Sequence, residues 1–151
     1  MKFLALALVV TSFTAVAGTT GTLNLKGKVP LSLSLTLTAE SIATVLPLDI
    51  SQVDTKVATV NEKSNAANGY KVTITSTNLG KLKRQYGTQT FNYVLKYDNV
   101  VLDLSAPIVQ AHPGVFDNVN KDVSISYTGI PSGDMAAGDY LDTVKFTIAA
   151  N

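Results

Sequence analysis

The chain has 151 residues, about one domain by size. Hydrophobic residues make up 46%, charged residues 15% and aromatics 7%, a balance that excludes a disordered polyelectrolyte. Twelve basic against eleven acidic groups leave a formal charge of +1, without the cationic field that a nucleic-acid binder carries.

Met1-Lys2 opens the chain with a positive charge, residues 3–10 are apolar, and Ala15-Val16-Ala17 closes the segment in a small-x-small pattern. Together these features predict a secretory signal peptide over residues 1–17, cut between Ala17 and Gly18. A membrane anchor fits less well. Thr11, Ser12 and Thr14 interrupt an apolar run that already falls short of the roughly 20 residues a span requires. Loss of Lys2 leaves eleven basic and eleven acidic groups, a formal charge of zero. No later segment is expected to form a stable membrane span.

Beyond the cleavage point, period-two alternation dominates, which predicts strands rather than helices. Over residues 23–37, Leu23, Leu25, Gly27, Val29, Leu31, Leu33, Leu35 and Leu37 share one face, opposite Asn24, Lys26, Lys28, Pro30, Ser32, Ser34 and Thr36. This run far exceeds an ordinary strand of about five or six residues. Pro30 lacks an N–H, so it is expected to divide the segment or to sit on an edge.

A single helical or 3₁₀ turn is expected within residues 39–45. Short strands are expected at 45–50 and 56–60, followed by a polar loop over 61–69 that ends in Asn68-Gly69. Tyr70, Val72 and Ile74 then alternate with Lys71, Thr73 and Thr75, and Asn78-Leu79-Gly80 turns the chain. Phe91, Tyr93, Leu95 and Tyr97 share the next face, and Asp98-Asn99 turns into residues 100–104. Residues 106–120, with Pro107, Pro113 and Gly114, read as a loop. Val123, Ile125 and Tyr127 form another strand, residues 129–138 a turn-rich link, and Tyr140, Val144, Phe146 and Ile148 the last strand. Seven to nine strands at this spacing predict an all-β fold: an Ig-like β-sandwich with Greek-key connections. A small closed barrel is the alternative. An outer-membrane barrel fits poorly, because most of these strands are shorter than the nine to eleven residues needed to cross a bilayer.

Little in the sequence assembles a catalytic site. The chain has no cysteine and one histidine, which removes a disulfide framework, thiolate metal sites and cysteine nucleophiles. His112 stands in the turn-like Gln110-Ala111-His112-Pro113-Gly114 and reads as a solvated loop residue. No Gly-x-Ser-x-Gly accompanies it, and a zinc site without thiolates normally needs more imidazoles. Asp98, Asp103, Asp134, Asp139 and Asp142 read as turn acids, a placement aspartate favours because it bonds its own backbone. Neither EF-hand spacing nor a phosphate-cradling Gly-x-x-x-x-Gly-Lys occurs. Lys81-Leu82-Lys83-Arg84 reads as a solvated strand or loop end. No enzyme activity, cofactor, metal or nucleic-acid partner is expected.

Two stretches carry a likeness. Ala137, Gly138, Tyr140, Asp142, Val144, Phe146 and Ile148 follow the pattern Ala-Gly-x-Tyr-x-Asp-x-Val-x-apolar-x-apolar. Residues 69–78, the following Gly80-Lys81-Leu82 and the tyrosine-rich 91–97 fit the same subunits. The chain in this respect resembles chaperone–usher fimbrial subunits (pilins) and the related spore coat protein U-like domains. Its lack of cysteine brings it nearer the cysteine-free alternate branch.

The resemblance implies an incomplete Ig-like sandwich over residues 31–151, completed by strand addition from a neighbour. Residues 18–30 become an N-terminal extension, the candidate donor strand. Leu23, Leu25, Gly27, Val29 and Leu31 are the implied donor positions, with Gly27 over a shallow pocket. Tyr140, Val144, Phe146 and Ile148 form the implied C-terminal strand of the acceptor. The implied product is a secreted structural subunit that passes through the periplasm to a cell-surface fimbria. Its implied partners are further copies or related fimbrial subunits, a periplasmic chaperone and an outer-membrane usher. The residues also allow another reading, in which 23–37 completes the chain's own sandwich. The protein is then a monomeric, self-complete Ig-like secreted domain binding sugar or protein through its loops. Two points favour donation: the sequence stops just after the last alternating strand, and an exposed aliphatic strand is an aggregation hazard without a partner.

Overall fold

The computed structural model describes residues 18–114 and 116–151. The expected signal peptide over 1–17, including Ala17 of the cleavage point, lies outside the described residues. From residue 18 to 32 the chain joins no sheet. Strand β1 (Leu33–Ala39) follows, then a 3₁₀ turn at Ser41–Thr44 and the long β2 (Gln52–Ser64). β3 (Tyr70–Ser76), β4 (Lys81–Arg84), β5 (Thr90–Asn92), β6 (Val94–Tyr97) and β7 (Val100–Leu102) come next. β8 (Ile108–His112), β9 (Asp117–Tyr127), a second 3₁₀ turn at Ser132–Asp134, β10 (Tyr140–Leu141) and β11 (Val144–Ala150) complete the order.

All pairings are antiparallel. They form a five-stranded sheet in the order β1-β2-β9-β6-β7 and two three-stranded sheets, β11-β3-β8 and β10-β4-β5. The core lies between the large sheet and the two smaller ones. Val57, Val60, Leu95, Tyr97, Val123 and Ile125 come from the first, Tyr70, Val72 and Ile74 from the second, and Leu82 and Phe91 from the third. Apart from β2, where a register shift at residues 56–58 brings both Val57 and Val60 inward, these are alternating positions of their strands, because successive side chains point to opposite faces. The fold is an all-β sandwich with open sheet ends, not a closed barrel. No helix among the described residues is long and apolar enough to cross a membrane.

Several segments depart from the sequence reading. Residues 23–37 are not one strand: the ladder with β2 begins at Leu33↔Ser64 and ends at Ala39↔Ala58. The polar loop expected over 61–69 is shorter, because β2 runs on to Ser64 and takes Glu62 and Ser64 into the interior. Polar composition concealed this stretch, since Glu62 faces inward in the same phase as Val60. Residues 45–50 are not a strand; the chain turns there after the 3₁₀ turn. The loop expected over 106–120 holds β8 and the start of β9, with β8 laid along the edge of β3 from Tyr70↔His112 to Ile74↔Ile108.

Local signals set the turns. Asp98 and Asn99 both have positive φ, 50° and 65°, as a two-residue hairpin between β6 and β7 requires. Gly69 has φ 77°, and a Cβ there would lie 2.2 Å from the His112 carbonyl oxygen, so the Asn-Gly signal also marks a close backbone approach.

Candidate functional site

Two strand edges are left unpaired side by side. β1 ends the five-stranded sheet and β11 ends a three-stranded one; no ladder joins them among the described residues. β1 starts beside the 65–69 loop, where Asn65 N–H donates to the Ser32 carbonyl at 3.1 Å. β11 ends beside the same loop, where Asn151 N–H donates to the Gly69 carbonyl at 3.2 Å. At their opposite ends, Leu37 and Ala39 share an apolar cavity of about 200 Å³ with Val144 and Phe146. The two edges therefore run antiparallel across the gap. Leu33 and Leu35 from one side, and Val144, Phe146 and Ile148 from the other, pack on the core but are only partly buried. The sandwich is thinly covered along this seam.

The seam is also narrow. Cα atoms of β1 and β11 approach within 8 Å, whereas a strand inserted between two others needs roughly 9.6 Å, twice the strand spacing. Insertion must spread these edges. The small apolar cavity at the Ala39 end shares Ala43, Leu46, Leu82 and Asp142 with a neighbouring cleft of about 890 Å³ between residues 43–49 and 135–142.

The N-terminal segment carries the complementary feature. Leu23, Leu25, Val29 and Leu31 are 81, 86, 82 and 61% exposed, although an apolar seam lies on the same molecule. A Cβ built on Gly27 meets nothing within 4 Å, so the chain's own domain gives no steric reason for glycine there. Gly18 is likewise exposed and free of neighbours.

Among the C-terminal positions, Val144, Phe146 and Ile148 lie on the seam, in register with Ser76, Ile74 and Val72 of β3. Tyr140 does not. It belongs to β10, opposite Arg84 of β4, and its hydroxyl donates to the Ala136 carbonyl at 2.9 Å. The expected single strand over 140–148 is broken by Asp142. Its Oδ2 accepts from Ser76 Oγ and Tyr93 OH, both at 2.6 Å, and its Oδ1 accepts from the N–H groups of Asn78 and Thr143 at 2.9 and 2.7 Å. A carboxylate with four donors fixes the chain and lets it change sheets.

His112 is not a solvated loop residue. It sits in β8 with its ring stacked on Tyr70 at 4.8 Å, and its Nε2 is buried without a hydrogen-bond partner, 3.6 Å from Glu62 Oε2. Glu62 is fully buried and accepts hydrogen bonds from Tyr70 OH, at 2.7 Å, and from Tyr97 OH. Burial first, and then this carboxylate, push the Tyr70 phenol above its ordinary value. Sequence reading missed the group because Glu62 stood in an apparent loop; its inward phase after Val60 was the available signal. The other acids lie apart. Asp98 pairs with Lys121, and Asp103 Oδ1 accepts from Ser105 N–H at 3.1 Å. No cluster of three His, Cys, Asp or Glu able to hold a metal occurs among the described residues.

The chain matches no family model and no curated protein.

Proposed function

We propose that this protein is an exported structural subunit of a fimbria or similar surface fibre, which polymerises by lending residues 18–31 to the seam of the next copy. The observation that carries this reading is a complementary pair on one chain: an exposed, alternating aliphatic segment and an apolar seam between two unpaired edges. Leu23, Leu25, Val29 and Leu31 alternate at the spacing of inward-facing strand positions, as do Val144, Phe146 and Ile148. Each aliphatic side chain buried on insertion contributes about 1.5–3 kcal/mol, and the inserted backbone supplies ladder bonds to the free edges. Gly27, unconstrained in its own domain, is explained by a close approach in the acceptor.

On this reading the sandwich is Ig-like, the partners are further copies or related subunits, and a chaperone and usher conduct the chain from the periplasm to the surface. The rival reading, a monomeric domain that binds through its loops, has less loop to draw on, because most of residues 106–120, which the sequence reads as a loop, are strand.

Leu25→Asp with Val29→Asp is expected to abolish polymer in purified preparations, read by size-exclusion chromatography and electron microscopy, with circular dichroism unchanged. Polymer at the level of the unsubstituted chain would overturn the proposal.

A further inference from the structure

The extension leaves its own domain through an unusual joint. The β1–β2 ladder ends at Leu33↔Ser64, and the chain after Ser64 turns away, with Gly69 N–H donating to the Ala66 carbonyl at 3.1 Å. The pairing nevertheless continues outward through one residue. Ser32 N–H donates to Asn65 Oδ1 at 2.7 Å, Asn65 N–H donates to the Ser32 carbonyl at 3.1 Å, and Asn65 Nδ2 donates to the Pro30 carbonyl at 2.9 Å. The Asn65 side-chain amide thus stands in for the next peptide unit of β2 and keeps residues 30–32 in line with β1.

We infer that Asn65 is a positioning residue that prevents the extension from filling the seam of its own domain and so presents it to another copy; this rests on the strand-lending function proposed above. Only Ser32 separates Leu31 from β1, so the extension can reach its own seam by one route, a tight hairpin beside β1. Entry parallel to β1 needs a crossover of about a dozen residues. A tight hairpin must reverse the chain within about 29–32, the stretch that Asn65 holds extended at both Ser32 and Pro30. Pro30 adds a fixed φ and no N–H to offer a returning strand. A donor from another copy meets none of these restraints.

The test compares the chain from Gly18 onward with Asn65→Ala and Asn65→Asp; the second keeps the acceptor for Ser32 and loses the donor to Pro30. Monomer and polymer are separated by size, and the monomer is treated briefly with trypsin. Lys26 and Lys28, exposed on the extension, report whether it is free. The unsubstituted monomer is expected to be cut there at once. Asn65→Ala is expected to raise the ratio of trypsin-protected monomer to polymer roughly tenfold, the change that 1.4 kcal/mol makes, and Asn65→Asp to raise it less. Equal cutting and equal polymer in all three proteins would overturn the inference, as would loss of folded circular dichroism in both variants, which would make Asn65 a folding residue. If the unsubstituted chain forms no polymer but Asn65→Ala monomer becomes protected, the clamp on self-filling stands and the fibre function falls. If neither occurs, both fall.

Discussion

At the scale of single residues, the interior is held by two acids that composition alone marks as ordinary. Glu62 receives two phenols inside the sandwich, tying β3 and β6 to β2. Truncating it leaves those hydroxyls buried without an acceptor, so Glu62→Ala is expected to destabilise the fold by about 3 kcal/mol, measured by urea unfolding. Asp142 fastens Tyr93, Ser76 and the turn at Asn78. Asp142→Ala is expected to cost at least about 2 kcal/mol, while Asp134→Ala, an exposed turn acid, changes stability by less than about 0.5 kcal/mol. Equal effects would show that Asp142 is no more than a turn residue. The tyrosines give a pH signature. Burial, then Asp142, raises the Tyr93 phenol; burial, then Glu62, raises Tyr70; burial, then Asp49, raises Tyr127. A group whose folded value lies above its unfolded one adds stability that is complete below the unfolded value, about 10, and is lost as pH climbs toward the folded one. Absorbance at 295 nm should therefore report these three phenols ionising only together with alkaline unfolding. Full, reversible titration of all six tyrosines near pH 10 with unchanged circular dichroism would contradict this.

Elements show where a shared alternation divides into two roles. Leu23 to Leu37 keep one phase through Pro30, yet Leu33 and Leu35 pack on the core while Leu23, Leu25, Val29 and Leu31 meet solvent. Deleting residues 18–30 is therefore expected to leave the thermal midpoint of the remaining body within about 2 °C, since no core contact is lost. Deletion through residue 39 removes β1 together with Leu33 and Leu35, and is expected to prevent cooperative folding. A large drop with the shorter deletion would mean that the extension completes its own domain.

For the whole molecule, the seam and the extension make a prediction that needs no fibre. A synthetic peptide of residues 18–31, added to a body lacking them, should bind the native state alone and raise its stability by about 2.7 kcal/mol at a hundredfold excess over Kd. The gain should vanish for a peptide carrying Leu25→Asp and Val29→Asp. Binding is expected to be slow, because β1 and β11 stand closer than an inserted strand requires.

Alternation determined the fold class and the inward faces of β3, β6, β9 and β11, and the Asp98-Asn99 and Asn68-Gly69 pairs determined their turns, because strand period and positive-φ preference are local properties. Alternation also marked 23–31 as an apolar strand in need of cover. Tertiary structure alone decided that β2 runs on through Glu62, that β8 lies inside an apparent loop, and that Asp142 breaks the last strand. Glu62 and Asp142 are satisfied by side chains from other parts of the sandwich, and β8 is placed by its ladder with β3; such pairings are settled only by the folded chain, and no local pattern reveals them. The seam between β1 and β11 belongs with these. An edge is a property of strand order, and strand order exists only once the chain has folded.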